Sequence, residues 1–236
     1  MATHIHQTPG DVRAGVNKRL KQVGVMLVGV AVLLFAPAGD LAWVWAWVLL
    51  ALYLAGILIT GSMLLRDHPE TIAARAEATG QRGWDRVVGG LWALAMMATL
   101  VVAGLDVRWG WSAPLMLDLH LVGAAGFGGG LGLFMWAMRS NAAFATVSRI
   151  GAAGEHRVCS SGPYRWVRHP GYIGAVVQAF ATPLLLGSLW AFIPGIVAAL
   201  AMVARTALED AMLRAELPGY ALYSEHVRYR LVPGLW

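Results

Sequence analysis

The sequence predicts an all-α membrane protein with about six transmembrane helices. Hydrophobic residues make up 58% of the 236 residues and charged residues only 13%, whereas a soluble domain carries about 25% charged residues. Apolar stretches of about 20 residues, the length that crosses a bilayer, recur along the chain. Basic residues gather in the segments between alternate stretches, as expected when those segments share one side of a membrane.

Each apolar stretch ends at residues that stop a membrane helix. Pro37, Gly39 and Asp40 predict a tight turn between the first two spans, and polar connectors at 66–86 and 139–170 separate later ones. The last apolar block is too long for one span, and Pro183 with the Gly187-Ser188 pair divides it into two helices. The predicted spans are 23–38, 41–65, 87–105, 113–138 and the two halves of 171–204.

Six spans place both chain termini on one side of the membrane. Of the 18 Lys and Arg residues, 17 then lie on that side and only Arg108 lies opposite. The positive-inside rule makes this side cytoplasmic. We therefore expect both termini, and any site built from the connectors and the tail 205–236, to be cytoplasmic. The net charge of +5 then reflects topology, and no nucleic-acid partner is expected.

Two features that suggest other functions have simpler interpretations. The glycine-rich stretch 123–132 has no G-x-G-x-x-G register and lies inside a span, so it does not predict a nucleotide loop. Its pairs Gly126/Gly130 and Gly128/Gly132 fit close helix packing instead. Asp118 and His120 are expected at the membrane interface in contact with water, with a transport or proton-relay role as the alternative.

Cysteine and histidine usage predicts neither a disulfide nor a metal site. Cys159 is the single cysteine, which excludes an intrachain disulfide. The histidines in polar segments lack the spacing of metal ligands, so no metal is expected. Cys159 follows His156, but a lone cysteine in such a loop is more often inert than a nucleophile.

The segment 162–174, Gly-Pro-Tyr-Arg-Trp-Val-Arg-His-Pro-Gly-Tyr-Ile-Gly, is the strongest candidate for a site. It brings two arginines, a histidine and two tyrosines to a boundary between apolar spans, where polar side chains are costly and usually functional. Arg205 and Glu209 lie four residues apart where the last helix is expected to leave the bilayer, so they share a helix face. They are either a surface ion pair or ligands of a charged substrate and cofactor.

These motifs resemble those of the isoprenylcysteine carboxyl methyltransferase family, which includes phospholipid methyltransferase relatives. The resemblance covers roughly 156–236 and places several motifs in order around a helical hairpin. One departure is an aspartate, Asp210, where the family has the second acid of a Glu-Glu pair. The matching stretches are His156 to Cys159, Gly162-Pro163-Tyr164, Arg168 to Tyr172 with Gly174, Arg205, Glu209-Asp210 and Pro233-Gly234.

The resemblance implies a membrane methyltransferase that uses S-adenosyl-L-methionine without a Rossmann domain. Its acceptor side would be residues 1–138, and its catalytic region with a cytoplasmic cofactor-binding part would be 139–236. Arg205 and Glu209 would be catalytic, Arg205 also binding the acceptor. The residues implied for the cofactor are His156, Arg157, Val158, Cys159, Tyr164, His169, Pro170, Gly171, Tyr172 and Glu209.

The expected acceptor is lipophilic and reaches the site from the bilayer, so lipids are the expected partners and no obligate protein partner is evident. The resemblance favours carboxyl O-methylation of an isoprenylcysteine or a similar lipid-linked acid. N-methylation of a phospholipid amine and S-methylation of a small thiol are the alternatives within the class. A small transporter or structural membrane protein is the alternative outside it, although the spans carry little charge and show no repeated halves.

Overall fold

The computed structural model of the protein describes residues 9–67, 82–141 and 158–236. Within these ranges the chain forms seven α-helices and one 3-10 turn and contains no strand, which confirms the all-α prediction. The helices are α1 (Pro9–Ala38), α2 (Val44–Asp67), α3 (Gly83–Trp109), α4 (Leu117–Ser140), α5 (Pro170–Leu186), α6 (Phe192–Glu216) and α7 (Tyr220–His226), with the 3-10 turn at Gly162–Arg165.

Six of these helices account for the six predicted spans. Five of the described helices contain a segment long and apolar enough to cross a membrane, and α5 is a shorter apolar helix. Large apolar side chains lie on their outer surfaces; Leu94 is 64% exposed and Ile193 is 57% exposed. Such surfaces suit lipid rather than water, and the chain is an integral membrane protein.

The six helices that correspond to the predicted spans, α1 to α6, pack as a ring, and α5 contacts four of the other five helices. Around the ring, α1 packs on α3, α3 on α6, α6 on α5, α5 on α4, α4 on α2 and α2 on α1. Helix α5 also contacts α2 and α3 across the ring. The largest apolar core includes Leu34, Leu49, Leu100, Phe127 and Leu185. Because Leu34 and Leu185 lie near the ends of their helices, this core fills the half of the bundle remote from the α5 start.

Glycines form the seam between α4 and α5. A Cβ atom at Gly130 would lie 2.7 Å from the carbonyl oxygen of Gly174, and one at Gly126 would lie 3.3 Å from the Cβ of Ala181. The predicted packing pair Gly126/Gly130 is therefore confirmed. The pair at 128 and 132 is wrong, because a Cβ at either position would meet no described atom within 4 Å. The seam lets the two backbones approach as in other membrane helix pairs.

The turn between α5 and α6 forms where it was predicted, at Gly187 and Ser188. Gly187 has φ +80° and ends α5, and the Ser188 N–H donates to the Pro183 carbonyl at 3.0 Å. Pro183 itself lies inside α5, so the break comes after it. Helix α6 continues to Glu216, well beyond the predicted span limit at 204. Its polar last turns are stabilised by ion pairs rather than by lipid.

His120 is not at a wet interface, which corrects the sequence-based expectation for this residue. It is 8% exposed, its Nδ1 lies 2.8 Å from the Leu185 carbonyl oxygen, and its ring stacks on Trp45 at 4.2 Å. The tight turn at Gly187 brings the imidazole against the end of α5, which buries it. Asp118, the other residue of that prediction, is exposed.

We expect Gly130→Ala to destabilise the bundle and Gly128→Ala to leave it intact. The added methyl at position 130 would press on the α5 backbone, and such overpacking costs about 1–3 kcal/mol. At position 128 there is open space, and alanine is favoured over glycine in a helix by about 1 kcal/mol. Thermal unfolding midpoints in one detergent test this. Equal midpoints for the two variants would contradict the proposed seam.

Candidate active site

The candidate site forms at the end of the bundle where α3 and α5 begin and α4 and α6 end. Helix α5 begins at Pro170 with His169 as its N-cap, so the polar segment 162–169 leads directly into the bundle. Helix α6 lies beside α5 and carries Arg205 and Glu209. Residues far apart in the sequence thus meet at one end of an apolar bundle.

Tyr172 and Glu209 form the first contact within the site. The Tyr172 hydroxyl, on the first turn of α5, donates to the Glu209 carboxylate at 2.5 Å. Both side chains are half-buried. The structure therefore joins two residues that the sequence analysis assigned to one cofactor pocket. A half-buried carboxylate beside a phenol can hold a cation or accept hydrogen bonds from hydroxyl groups.

Arg205 is a buried residue that forms an ion pair with Asp85. Its Nε donates to the Asp85 carboxylate at 2.8 Å, and Asp85 is fully buried in the first turn of α3. The guanidinium carbon lies 5.3 Å from the centre of the Tyr172 ring. Of the two interpretations of Arg205 and Glu209, the surface ion pair is wrong for Arg205. The sequence analysis missed Asp85, which lies 120 residues away.

Asp210 joins four segments of the chain through one carboxylate. It is fully buried and accepts two hydrogen bonds from Arg168, at 2.7 and 3.1 Å, and one from Arg230 at 3.0 Å. The Tyr220 hydroxyl donates to it at 3.0 Å, and His169 Nε2 lies 3.4 Å away. A buried carboxylate needs such partners to stay ionised. Asp210 is therefore a structural centre of the site end.

The tail 217–236 packs onto the polar segment 162–169. Arg168 donates through its side chain to the carbonyls of Val227 and Arg228, at 2.8 Å each, and through its N–H to Tyr229 at 2.9 Å. The Tyr223 hydroxyl donates to the Tyr164 carbonyl at 2.6 Å. The tail folds back after Gly219, where φ is +82°. The chain therefore reverses direction directly after α6.

Three tyrosines at this end are neutral hydrogen-bonding groups. Burial raises the pKa of the Tyr164, Tyr220 and Tyr223 phenols above the ordinary value, and the negative Asp210 raises that of Tyr220 further. They remain protonated at neutral pH and donate hydrogen bonds. They therefore hold the tail in place and do not act as bases.

The other predicted cofactor residues fall into three groups. Tyr164, His169, Pro170 and Gly171 are buried in the packed segment that leads into α5. Val158 packs beside the Leu217, Tyr220 and Tyr223 cluster, and the Cys159 thiol contacts the Ser140 carbonyl at 3.1 Å. His156 and Arg157 lie outside the described residues. The assignment of these residues to a cofactor stays a prediction.

Sequence reasoning missed the partners of the site residues rather than the residues themselves. Asp85, Arg168 and Arg230 hold Arg205 and Asp210 in place. One signal could have found Asp85: it is an acidic residue two positions before the apolar stretch 87–105, where a charge close to the bilayer needs a partner. Nothing in a single sequence names that partner.

Comparison with known families supports the motif-based assignment. The model of the Isoprenylcysteine carboxyl methyltransferase (ICMT) family matches residues 130–215. A comparison with curated proteins gave no match. The matched segment holds the second half of α4, α5 and nearly all of α6, and every candidate site residue lies inside it. Asp85 and the tail lie outside it. Over this segment, a little over a third of the chain, the protein is similar to the isoprenylcysteine carboxyl methyltransferase family of membrane methyltransferases.

Proposed function

We propose that the protein transfers a methyl group from S-adenosyl-L-methionine to the carboxylate of a lipophilic acceptor such as an isoprenylcysteine. The observation that carries the proposal is the meeting of Tyr172, Arg205 and Glu209 at one end of an apolar bundle, within the family segment. The three side chains offer one anionic group, one cationic group and a phenol. A cationic methyl donor and an anionic acceptor need such a pair of opposite charges.

The residues present fit this cofactor. When bound, it supplies an electrophilic methyl group on a positively charged sulfur. The Glu209 carboxylate suits the positive charge and the hydroxyls of such a molecule, and Tyr172 holds that carboxylate through its hydroxyl at 2.5 Å. Apolar side chains of α5 and α6 would exclude water from the bound ligands, which would strengthen each charged contact.

Arg205 has the chemistry to bind and orient an acceptor carboxylate. A guanidinium presents planar donors that match the two carboxylate oxygens. Arg205 would hold the acceptor carboxylate so that one oxygen could bond to the methyl carbon that the cofactor supplies, with the carbon–sulfur bond breaking and its electron pair staying on sulfur. The products are a methyl ester and a neutral thioether, so no proton is released and no general base is needed. Positioning then accounts for most of the catalysis.

A second observation favours an acceptor that lies along α3. The Trp92 indole N–H, two turns after Asp85 on α3, is buried, and no described group accepts its hydrogen bond. The Trp92 ring packs against a cluster of small buried side chains that includes Ala95, Ala179 and Ala198. A buried donor without a partner is costly, and a polar atom of a lipophilic acceptor would satisfy it.

The site and both termini are proposed to face the cytoplasm. This follows from the positive-inside rule, because the basic residues cluster at the site end of the bundle and Arg108 lies at the other end.

A labelled-methyl assay tests the acceptor. Purified protein in lipid vesicles, with methyl-labelled cofactor, should label an N-acetyl-S-prenylcysteine as an alkali-labile ester that releases methanol. It should not label phosphatidylethanolamine or a small alkyl thiol. The ester should form at a constant rate between about pH 6 and 9, because an α-carboxyl group with a pKa of about 3.5 is ionised throughout. Alkali-stable label in the phospholipid or the thiol would favour an alternative acceptor.

Substitutions at Glu209 and Arg205 should affect different ligands. Glu209→Gln removes the negative charge and should weaken cofactor binding about ten- to hundredfold, as expected for one charged hydrogen bond of about 1.5–3 kcal/mol. Arg205→Lys keeps the charge but loses the planar donors, so turnover and acceptor affinity should fall while cofactor binding stays within about twofold. Calorimetric titration and steady-state kinetics separate the two effects.

The matched control for these variants is Glu225→Gln, which removes an exposed carboxylate on α7. It should change neither the cofactor affinity nor the turnover and affinity for the acceptor. If both site variants keep activity within about twofold of the wild type, these residues have no role in the reaction.

Cysteine labelling tests the orientation. In a Cys159→Ala background, Glu225→Cys at the site end should react with a membrane-impermeant maleimide only after the cells are permeabilised. Ala113→Cys at the opposite end should react in intact cells; both positions are exposed. The reverse pattern would show that the site faces outward.

A further inference from the structure

Asp85 is a buried charge outside the segment that the family model matches. It lies in the first turn of α3 with no exposed surface, whereas the matched segment begins at residue 130. A buried carboxylate is stable only with a partner, and Arg205 Nε provides a hydrogen bond at 2.8 Å. The N-terminus of α3 also favours a negative charge at this position. The Asp85 carboxylate is therefore held beside the candidate acceptor-binding arginine.

The contact with Asp85 determines how the Arg205 guanidinium is oriented. The group is planar, so a hydrogen bond at Nε restricts rotation of the whole plane and of its other two nitrogens. Tyr172 lies on another side of it, with its ring centre 5.3 Å from the guanidinium carbon. Helices α3 and α5 thus each contribute one contact to an arginine on α6. Tyr172 in turn donates to Glu209, so the same group of residues reaches the cofactor side.

We propose that Asp85 is a positioning residue for Arg205, through which the N-terminal half of the chain takes part in methyl transfer. Asp85 holds the guanidinium in the orientation that receives the acceptor carboxylate and does not itself touch either substrate. This inference rests on the proposed function, in which Arg205 binds the acceptor. It explains why a residue outside the family segment is buried against a residue within it.

A merely structural pair would behave differently, and the chain offers a control. Arg82 and Glu216 form a second ion pair between α3 and α6, and both side chains are partly exposed. If Asp85 only stabilises the packing of α3 on α6, loss of the Asp85–Arg205 pair and loss of the Arg82–Glu216 pair should affect the protein in the same way. If Asp85 positions Arg205, only its loss should alter acceptor kinetics.

The test is a double-mutant cycle of Asp85→Asn, Arg205→Lys and the double variant, with Arg82→Gln as the control. Asp85→Asn should lower kcat/KM for the prenylcysteine acceptor about tenfold and leave cofactor affinity within about twofold. In the Arg205→Lys background, where Nε is already lost, the same change should cost less than about twofold. Such non-additivity is expected of residues that act through one contact. Arg82→Gln should retain wild-type kcat/KM.

Asp85→Glu is the control for a folding defect in the Asp85→Asn variant. It keeps the negative charge but moves the carboxylate by one methylene, so it should lower the unfolding midpoint less than Asp85→Asn does, because overpacking costs about 1–3 kcal/mol and a buried charge without its partner costs about 3–5 kcal/mol, while kcat/KM falls several-fold. Additive losses in the cycle, an equal loss of cofactor affinity, or an equal effect of Arg82→Gln would overturn the proposal.

The outcome also separates this inference from the proposed function. A wild-type protein that methylates none of the three acceptor classes would contradict the function itself. A wild-type protein that methylates the prenylcysteine, together with additive effects of Asp85→Asn and Arg205→Lys on kcat/KM, would overturn the inference alone.

Discussion

The carboxylate of Asp210 is the interaction on which the site end of the protein depends. It binds Arg168 from the segment before α5 and Arg230 from the tail, and it accepts a hydrogen bond from Tyr220 on α7. Since Arg168 also holds the tail carbonyls of Val227 and Arg228, these groups form one connected network. Removal of one partner from such a buried network leaves an uncompensated charge and costs about 3–5 kcal/mol. The fixed backbone around Tyr172 and Glu209 follows from this network.

Neighbouring acidic residues on α6 have different roles because a helix turns about 100° per residue. Asp210 faces the protein interior and is fully buried, whereas Glu209 is half-buried and faces Tyr172. Arg205, one turn earlier, faces α3 and meets Asp85. A single helix therefore supplies the structural centre, the candidate cofactor ligand and the candidate acceptor ligand. The shorter aspartate at position 210 suffices because its partners converge on it.

Local signals predicted most of the fold, and long-range contacts account for what they missed. Apolar length and breaking residues located all six spans, because each depends only on its own segment. Helix α6 continues beyond the apolar stretch because ion pairs such as Arg82–Glu216 stabilise its polar last turns. The choice between two glycine pairs, the burial of His120 and the partner of Arg205 each depend on a second helix. The candidate site residues were predicted from motifs. A motif gives residue types at set positions and does not say which contacts those residues make.

The short length of α5 determines where the site lies relative to the bilayer surface. With 17 residues and a rise of about 1.5 Å per residue, α5 is about 26 Å long, less than the hydrocarbon thickness of about 30 Å. Its far end is level with α3, because the Ser188 hydroxyl donates to Asp106 at 2.5 Å. The start of α5 at Pro170 therefore falls short of the start of α3, which has 27 residues. The segment 162–169 and the tail cover this end of α5, so under the proposed function a lipophilic acceptor would meet polar protein there without leaving the bilayer.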